Sequence, residues 1–230
     1  VALLDAKADV SALFAVLGLP ATHEHQVEAV PEQDWVRLTQ AQFDPIRISD
    51  RLWIVPSWHE PPDPGAVCIE LDPGLAFGTG SHPTTHLCLQ WLEAHVHADD
   101  RLLDYGCGSG ILAIAAKKLG AGAVEGVDLD PQAIRASQDN AARNGVAATF
   151  TLPDALPSGE FDIVVANILT NPLKALMPLL AARVRQGGKL VLSGILAEQA
   201  DEILALYGQT LDMRLWQTRE GWVCLEGVKR

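Results

Sequence analysis

An alternation of strand-length and helix-length segments from about residue 100 onward is the feature that most constrains the fold. Short β-rich apolar runs that alternate with helical stretches are typical of βαβ units, in which crossover helices join parallel strands. Five strands are predicted at Arg101–Tyr105, Ala123–Asp128, Thr149–Leu152, Phe161–Ala166 and Lys189–Ser193. Four helices are predicted near Gly110–Leu119, Pro131–Asn144, Asn171–Arg185 and Ala197–Tyr207. The pattern therefore indicates an α/β fold with a doubly wound, Rossmann-like sheet.

The last twenty residues predict a different kind of strand pairing. Two further β-rich runs, Leu211–Thr218 and Trp222–Val228, are separated only by Arg219-Glu220-Gly221. So short a connection permits an antiparallel hairpin but not a parallel crossover. The hairpin is expected at an edge of the main sheet, which would then have seven strands.

Helix boundaries are marked by residues with known positional preferences. Asp130-Pro131 and Asn171-Pro172 are each an N-cap residue followed by proline, the order favoured at a helix start. Glycines are expected directly after helix ends at Gly120, Gly145 and Gly187-Gly188.

The first hundred residues show a different pattern of predicted helices and strands, and a proline-rich run marks their boundary with the main domain. The predicted elements are a helix over Ala6–Leu17, a strand at His25–Ala29, a helix over Pro31–Gln42 and short strands at Ile46–Ile48 and Leu52–Val55. The proline-rich run Pro56–Pro64 follows them and is typical of a domain boundary. No internal repeat occurs, so a solenoid is not expected.

The charge balance limits the class of partner. The chain has 17 Lys and Arg residues against 29 Asp and Glu residues, a formal net charge of −12. Binding to duplex nucleic acid requires a basic surface, so direct nucleic-acid recognition is not expected. A basic protein or a small cation suits this charge, although acidity alone also provides solubility.

Cysteine spacing and hydropathy limit the compartment. The four cysteines are widely separated and form no C-x-x-C pair, so neither a disulfide framework nor a zinc site is expected, and reduced cytoplasmic thiols are predicted. No stretch approaches the roughly 20 apolar residues of a membrane span. The chain starts Val-Ala-Leu-Leu-Asp without an initiator Met, so further N-terminal sequence is expected.

The strongest chemical signal is the glycine-rich segment Leu103–Gly110, which ends a predicted strand and begins a helix. Its pattern is D-x-G-x-G-x-G, and Ile111 stands where a dinucleotide-binding fingerprint has its third glycine. Loop N–H groups can bind a carboxylate, and Asp104 ahead of the glycines can bind an ammonium group. The segment therefore favours the zwitterionic methionine end of S-adenosylmethionine, with Asp104, Gly106 and Gly108 as binding residues. A plain strand-to-helix turn is the alternative.

Two carboxylates follow the next two predicted strands. Asp128 lies eighteen residues after Gly110, where Rossmann-like sites have an acid that accepts hydrogen bonds from ribose hydroxyls. The alternative is that Asp128 and Asp130 only cap the helix at Pro131, a role expected of Asp130. Asp154, after the third strand, is placed to accept a hydrogen bond from an adenine amino group.

Asn167 ends the fourth predicted strand, next to the first strand at the point where a doubly wound sheet reverses direction. Its carboxamide can accept a hydrogen bond from an amine and orient the amine lone pair toward a methyl group. Enzymes with an N-P-P-Y motif have an aromatic residue that stacks on a planar target, but here position 170 is Thr, which disfavours a nucleobase. A helix-capping role for Asn167 is the alternative.

The segment Leu75–Thr85 contains glycines, hydroxyls and a histidine just before a predicted helix. Ser81 is the expected cap of that helix. His82 and His86 stand four apart, but no H-E-x-x-H motif or third ligand accompanies them, so no metal site is expected and surface or capping roles are favoured.

The motifs together resemble those of the ribosomal protein L11 methyltransferases, the PrmA family. The stretches that carry the resemblance are Asp72–Thr85, Leu103–Gly110, Gly126–Pro131, Val165–Leu169 and Gly187–Leu196, and the similarity extends from about Gln26 to the C-terminus. The resemblance implies that S-adenosylmethionine contacts Thr85, Gly106, Asp128 and Asn167, with Phe77 and Gly78 near the cofactor and its methyl group.

The resemblance also implies a domain arrangement and a substrate. Residues 1–30 would be the remnant of an N-terminal substrate-recognition domain, 31–64 a linker helix with connecting strands, and 65–230 the methyltransferase domain. The implied reaction is methyl transfer to lysine ε-amines and the N-terminal α-amine of L11, without a metal, by a protein expected to be monomeric. With so short an N-terminal part, recognition of the natural substrate is expected to suffer.

Three alternatives remain open from the sequence. A methyltransferase of a small amine or of another protein would keep every cofactor argument. An NAD-dependent dehydrogenase is disfavoured by Ile111 and Asp104. A non-catalytic module that binds S-adenosylmethionine is the third.

Overall fold

The computed structural model describes residues 43–72 and 80–230, together with Phe14, Val16 and residues 18–20. The first two of these isolated residues are helical, within the predicted helix Ala6–Leu17. The rest of that helix, the strand at His25–Ala29 and the helix over Pro31–Gln42 lie outside the described residues. Residues 43–230 belong to one compact unit, Phe43–Arg230.

Three short strands form a small sheet ahead of the main one: β1 (Ile46–Arg47), β2 (Leu52–Val55) and β3 (Val67–Glu70). Strand β1 is antiparallel to β2, whereas β2 and β3 are parallel, with Leu52 opposite Val67. The proline-rich run therefore connects two strands of one sheet.

Strand β3 was not predicted, because a distant side chain fixes its end. Asn144 accepts a hydrogen bond from Glu70 N at 2.8 Å and donates one to Glu70 O at 2.7 Å. The two residues are 74 positions apart, so the local pattern of the four-residue run gives no sign of this contact.

The main sheet has seven strands, as the sequence predicts. They are β4 (Leu102–Tyr105), β5 (Val124–Val127), β6 (Thr149–Thr151), β7 (Phe161–Asn167), β8 (Val184–Leu196), β9 (Leu211–Arg219) and β10 (Trp222–Lys229). Their order is β6-β5-β4-β7-β8-β10-β9, in which β10 pairs antiparallel with both β8 and β9 and the other neighbouring strands pair parallel. The chain winds outward in opposite directions from β4 and β7, so the crevice expected in such sheets lies above those two strands.

Five helices of the described chain connect the strands. They are α1 (Pro83–His95), α2 (Ile111–Lys118), α3 (Pro131–Arg143), α4 (Thr170–Arg183) and α5 (Ala200–Tyr207). Asp130 is the N-cap of α3, and its side chain accepts a hydrogen bond from Gln132 N at 2.8 Å. The prediction that Asn171 caps α4 was wrong, because the helix begins at Thr170 with Leu169 as its N-cap.

The prediction that Gly187-Gly188 directly follows a helix end was wrong. Helix α4 ends at Arg183, and β8 begins with the next residue. The pairing with β7 then shifts, because Val184 lies opposite Phe161 whereas Lys189 lies opposite Ile163. The two glycines occupy this irregular part of the strand.

The apolar core lies on both faces of the main sheet, since successive side chains of a strand point to opposite faces. Leu102 belongs to the core beneath α1, α2 and α3, together with β2 and β3. Leu103 and Tyr105 belong to the core beneath α4 and α5. No described helix is long and apolar enough to span a membrane.

Candidate active site

A crevice of about 470 Å³ opens at the carboxyl ends of the central parallel strands. Its walls are the backbone and side chains that end β4, β5 and β7, which are residues 105–108, 127–129 and 167–169. The start of α1 contributes His82, Thr84 and Thr85, and the C-terminal hairpin contributes Trp222. The crevice is thus at the predicted reversal point of the sheet.

The glycine-rich turn after β4 forms the floor of this crevice. Gly106 has a φ of +84°, and both its N–H and that of Cys107 donate to Val127 O, at 2.7 and 2.9 Å. A Cβ atom on Gly106 would lie 2.4 Å from Ile168 Cγ2. A side chain is therefore excluded both by the backbone conformation and by the chain that follows β7.

Asp128 joins the turn after β4 to the turn after β5. Its Oδ2 accepts a hydrogen bond from Gly108 N at 2.9 Å, and its Oδ1 accepts one from Asp130 N at 3.0 Å. Asp130, not Asp128, caps helix α3. The carboxylate of Asp128 is consequently held at the crevice wall by the loop that it faces.

Asn167 and Thr85, which are 82 positions apart, meet at the end of β7. Asn167 Nδ2 donates to Thr85 Oγ1 at 3.4 Å, and both residues line the crevice. Because Leu169 is the N-cap of α4, Asn167 has no capping role. The contact brings the first turn of α1 to the reversal point of the sheet.

Gly194 in β8 packs against the loop that follows β7. It was not identified as a site residue from the sequence. Its φ is +84°, and a Cβ atom there would lie 2.2 Å from Ile168 O. The chain between Asn167 and Leu169 therefore packs directly on the backbone of β8. Glycine inside a strand pattern is a signal for so close an approach.

His82 and Trp222 form a wall that the sequence did not predict. Their rings meet edge to face, with centroids 4.8 Å apart. His82 is also the N-cap of α1, because its side chain accepts a hydrogen bond from Thr84 N at 3.3 Å. The prediction of Ser81 as the cap was therefore wrong, whereas a capping role for His82 was among the expected ones.

His86 is buried, so the prediction of a surface position for it was wrong. Its side chain is 6 % exposed, and Nδ1 has no hydrogen-bond partner among the described residues. Burial lowers the pKa of His86, and the charge of Arg219 lowers it further. No cluster of three potential metal ligands occurs in the described part of the chain.

Asp104 lies beneath the crevice and not in its wall. It is 1 % exposed, its Oδ2 accepts a hydrogen bond from Ala113 N at 3.1 Å, and its Oδ1 has no partner among the described residues. Burial raises the pKa of Asp104 to about 7; the hydrogen bond from Ala113 opposes this rise and the charge of Asp128 adds to it. Asp104 is therefore not among the residues that line the crevice.

The remaining predicted site residues fall into two groups. Asp154 is exposed on the short helical turn Pro153–Ala155, and its neighbour Pro153 lines the crevice. Phe77 and Gly78 lie outside the described residues. The structure therefore brings together Thr85, Gly106, Gly108, Asp128 and Asn167.

The buried Asp104 should make stability depend on pH. The unfolded chain ionises this carboxyl near its ordinary pKa of 3.8, whereas the folded protein keeps the proton until about pH 7. Its contribution to the free energy of unfolding is therefore fully present below about pH 4 and is lost as the pH rises through about 7. Asp104→Asn should gain stability relative to the unmodified protein between pH 4 and 8, as measured by urea unfolding. Parallel curves would contradict this, and Asp154→Asn is the control for losing one carboxylate.

Comparison with known proteins identifies the family. A family model described as ribosomal protein L11 methyltransferase (PrmA) matches residues 2–230, a longer match than the predicted start near Gln26. The L11 methyltransferase of Thiobacillus denitrificans is 64 % identical over 234 residues, which cover the whole chain and 79 % of that protein. The corresponding protein of Ralstonia pickettii is 60 % identical over 233 residues, covering the whole chain and 78 % of that protein.

A solved structure shows the same fold at lower identity. The L11 methylase of Lactobacillus delbrueckii subsp. bulgaricus is 34 % identical, with a TM-score of 0.71, and the match covers 82 % of this chain and all of that one. Both the sequence match and the sheet order thus agree with the resemblance drawn from the motifs. The chain belongs to the ribosomal protein L11 methyltransferase (PrmA) family.

Proposed function

We propose that this protein transfers methyl groups from S-adenosylmethionine to lysine ε-amines and the N-terminal α-amine of ribosomal protein L11. The observation that carries the proposal is the meeting of Asn167 and Thr85 beside the glycine-rich turn, at the reversal point of the sheet. The names of the relatives support the substrate. A monomer in the cytoplasm, acting without nucleic acid, is part of the same proposal.

The residues at the crevice fit this cofactor. The turn containing Gly106 and Gly108 leads into the N-terminus of α2, where backbone N–H groups suit a carboxylate. Asp128 at the wall suits sugar hydroxyls, and buried Asp104 keeps one oxygen, Oδ1, without a partner among the described residues. Ile111, the first residue of α2, still stands where a dinucleotide site needs glycine. These features favour S-adenosylmethionine over NAD.

The cofactor supplies a methyl group already activated on a sulfonium, so the protein mainly contributes positioning. Because Asn167 Nδ2 donates to Thr85 Oγ1, its carboxamide oxygen is left to accept a hydrogen bond from the amine. That bond would direct the amine lone pair away from Asn167. An exposed lysine has a pKa near 10.4, so the amine must lose a proton first, which burial next to a cation promotes.

Position 170 argues against a nucleobase as the acceptor. Thr170 is buried, and its hydroxyl donates to Gln199 Oε1 at 2.6 Å, so it presents no planar surface to the crevice. Stacking on a base requires an aromatic or guanidinium plane. A small amine or another protein as acceptor would use the same cofactor contacts and is the remaining alternative.

The test is methylation of purified ribosomal protein L11 by the protein with S-adenosylmethionine, followed by intact and peptide mass spectrometry. We expect mass increments of whole methyl groups that map to lysine side chains and to the N-terminus. L11 with chemically blocked amines is the control and should gain no mass. Methylation of small amines but not of L11 would contradict the proposed substrate.

A further inference from the structure

Helix α4 carries apolar side chains on two faces. The inner face, which includes Leu173 and Leu180, is fully buried against the sheet. A second row begins at the helix N-cap and follows the 3.6-residue period along the outside; we name it the outer stripe. It consists of Leu169, Pro172, Leu176 and Leu179.

The outer stripe is apolar and mostly exposed, although Leu176 is half-buried and packs against the core. Leu169 is 67 % exposed and Leu179 is 38 % exposed. The two charged residues of the helix make other contacts, since Lys174 Nζ lies 2.6 Å from Glu202 Oε2 and Arg183 donates to Pro157 O. An exposed apolar row on a helix is typical of an interaction surface.

The outer stripe begins inside the crevice. Leu169, Pro172 and Leu176 line the crevice, and Leu179 continues the row beyond it. Ten residues of helix place Leu179 about 15 Å along the axis from Leu169. A polypeptide lying on the stripe therefore leads directly to the crevice beside Asn167.

The charge around the outer stripe indicates which kind of partner binds to it. Glu198, Asp201 and Glu202 are exposed next to α4. They lie on α5 and on the turn before it, and Glu202 pairs with Lys174 of α4. The formal net charge of the chain is −12. A second copy of this chain would carry the same negative charge and be repelled, whereas a lysine-containing segment would be attracted.

We propose that the outer stripe is a docking surface for the substrate polypeptide. Apolar side chains that flank the target lysine lie along the stripe, and the lysine enters the crevice at Asn167. This inference rests on the proposed function and adds a surface beside the crevice that favours a polypeptide over a free amine.

The test is Leu179→Gln, which keeps the length and helical propensity of the side chain but removes its apolar surface outside the crevice. We expect the KM for ribosomal protein L11 to rise about fivefold, a typical effect for an interface residue, with little change in kcat or in the Kd of S-adenosylmethionine. The matched control is Leu215→Gln on β9, a position that is 49 % exposed. It should leave the KM for L11 unchanged.

Folding is checked by melting temperature, and Leu179→Ala provides a second variant that should raise KM in the same direction. An unchanged KM in both Leu179 variants, or an equal rise in Leu215→Gln, would overturn the docking surface while leaving the proposed function intact. Failure of the unmodified protein to methylate L11, despite binding S-adenosylmethionine, would overturn both.

Discussion

Replacing Asn167 by alanine is expected to lower kcat about 100-fold while changing the Kd of S-adenosylmethionine by less than about twofold. Removing one precisely placed polar group at a reacting centre has effects of this order. The structure supplies the reason, because the Asn167 amide is fixed by Thr85 Oγ1 and its oxygen is the group assigned to the acceptor amine. Loss of the side chain should therefore affect the reaction of the amine far more than the binding of the cofactor.

The measurement for Asn167 combines two assays. Single-turnover methylation of L11 gives the chemical step, and calorimetric titration with S-adenosylmethionine gives the affinity. Asn171→Ala is the matched control, since this exposed asparagine lies four residues away and does not cap α4. Equal losses in turnover and affinity would assign Asn167 to cofactor binding instead.

Replacing Asp128 by alanine is expected to raise the Kd of S-adenosylmethionine by at least about 100-fold. Hydrogen bonds to a charged group contribute about 1.5–3 kcal/mol each, and two ribose hydroxyls are assigned to this carboxylate. The variant also loses the bond from Gly108 N to Asp128 Oδ2, which joins the two turns at the crevice. Both effects weaken the same site.

Asp130→Ala separates binding from helix capping. Asp130 caps α3 through Gln132 N, so its loss should cost about 1 kcal/mol of stability with little effect on affinity. Calorimetry and urea unfolding of the two variants measure both quantities. If Asp130→Ala weakened cofactor binding as much as Asp128→Ala, the loss would reflect loop disorder and not a sugar contact.

The parts of the fold that are coded locally were predictable from the sequence. Strands β4 to β7 and the helices between them follow from short apolar runs, helix periodicity and capping residues such as Asp130. Strand β3 was missed because Asn144, far along the chain, holds its end. The start of α4 was misplaced by one residue, since proline is tolerated throughout the first helical turn, where N–H groups lack partners anyway.

The residues of the candidate site likewise divide into those that could be predicted from the sequence and those that could not. Asp128 and Asn167 were predictable, because topology places the residues that end neighbouring parallel strands at one crevice. Trp222 reaches the crevice only through packing of the hairpin, which local patterns do not encode. Gly194, a glycine inside a strand pattern, did carry a local signal, but that signal does not say what packs against it. Asp104 was placed correctly along the chain, but its burial beneath the turn depends on how α2 packs.

The most direct test of the central claim is calorimetric titration of the protein with S-adenosylmethionine and, separately, with NAD. We expect saturable binding of S-adenosylmethionine at one site per chain, strongly weakened in Asp128→Ala, and no binding of NAD. The absence of any heat of binding at saturating S-adenosylmethionine, or tighter binding of NAD, would contradict the assignment of the crevice.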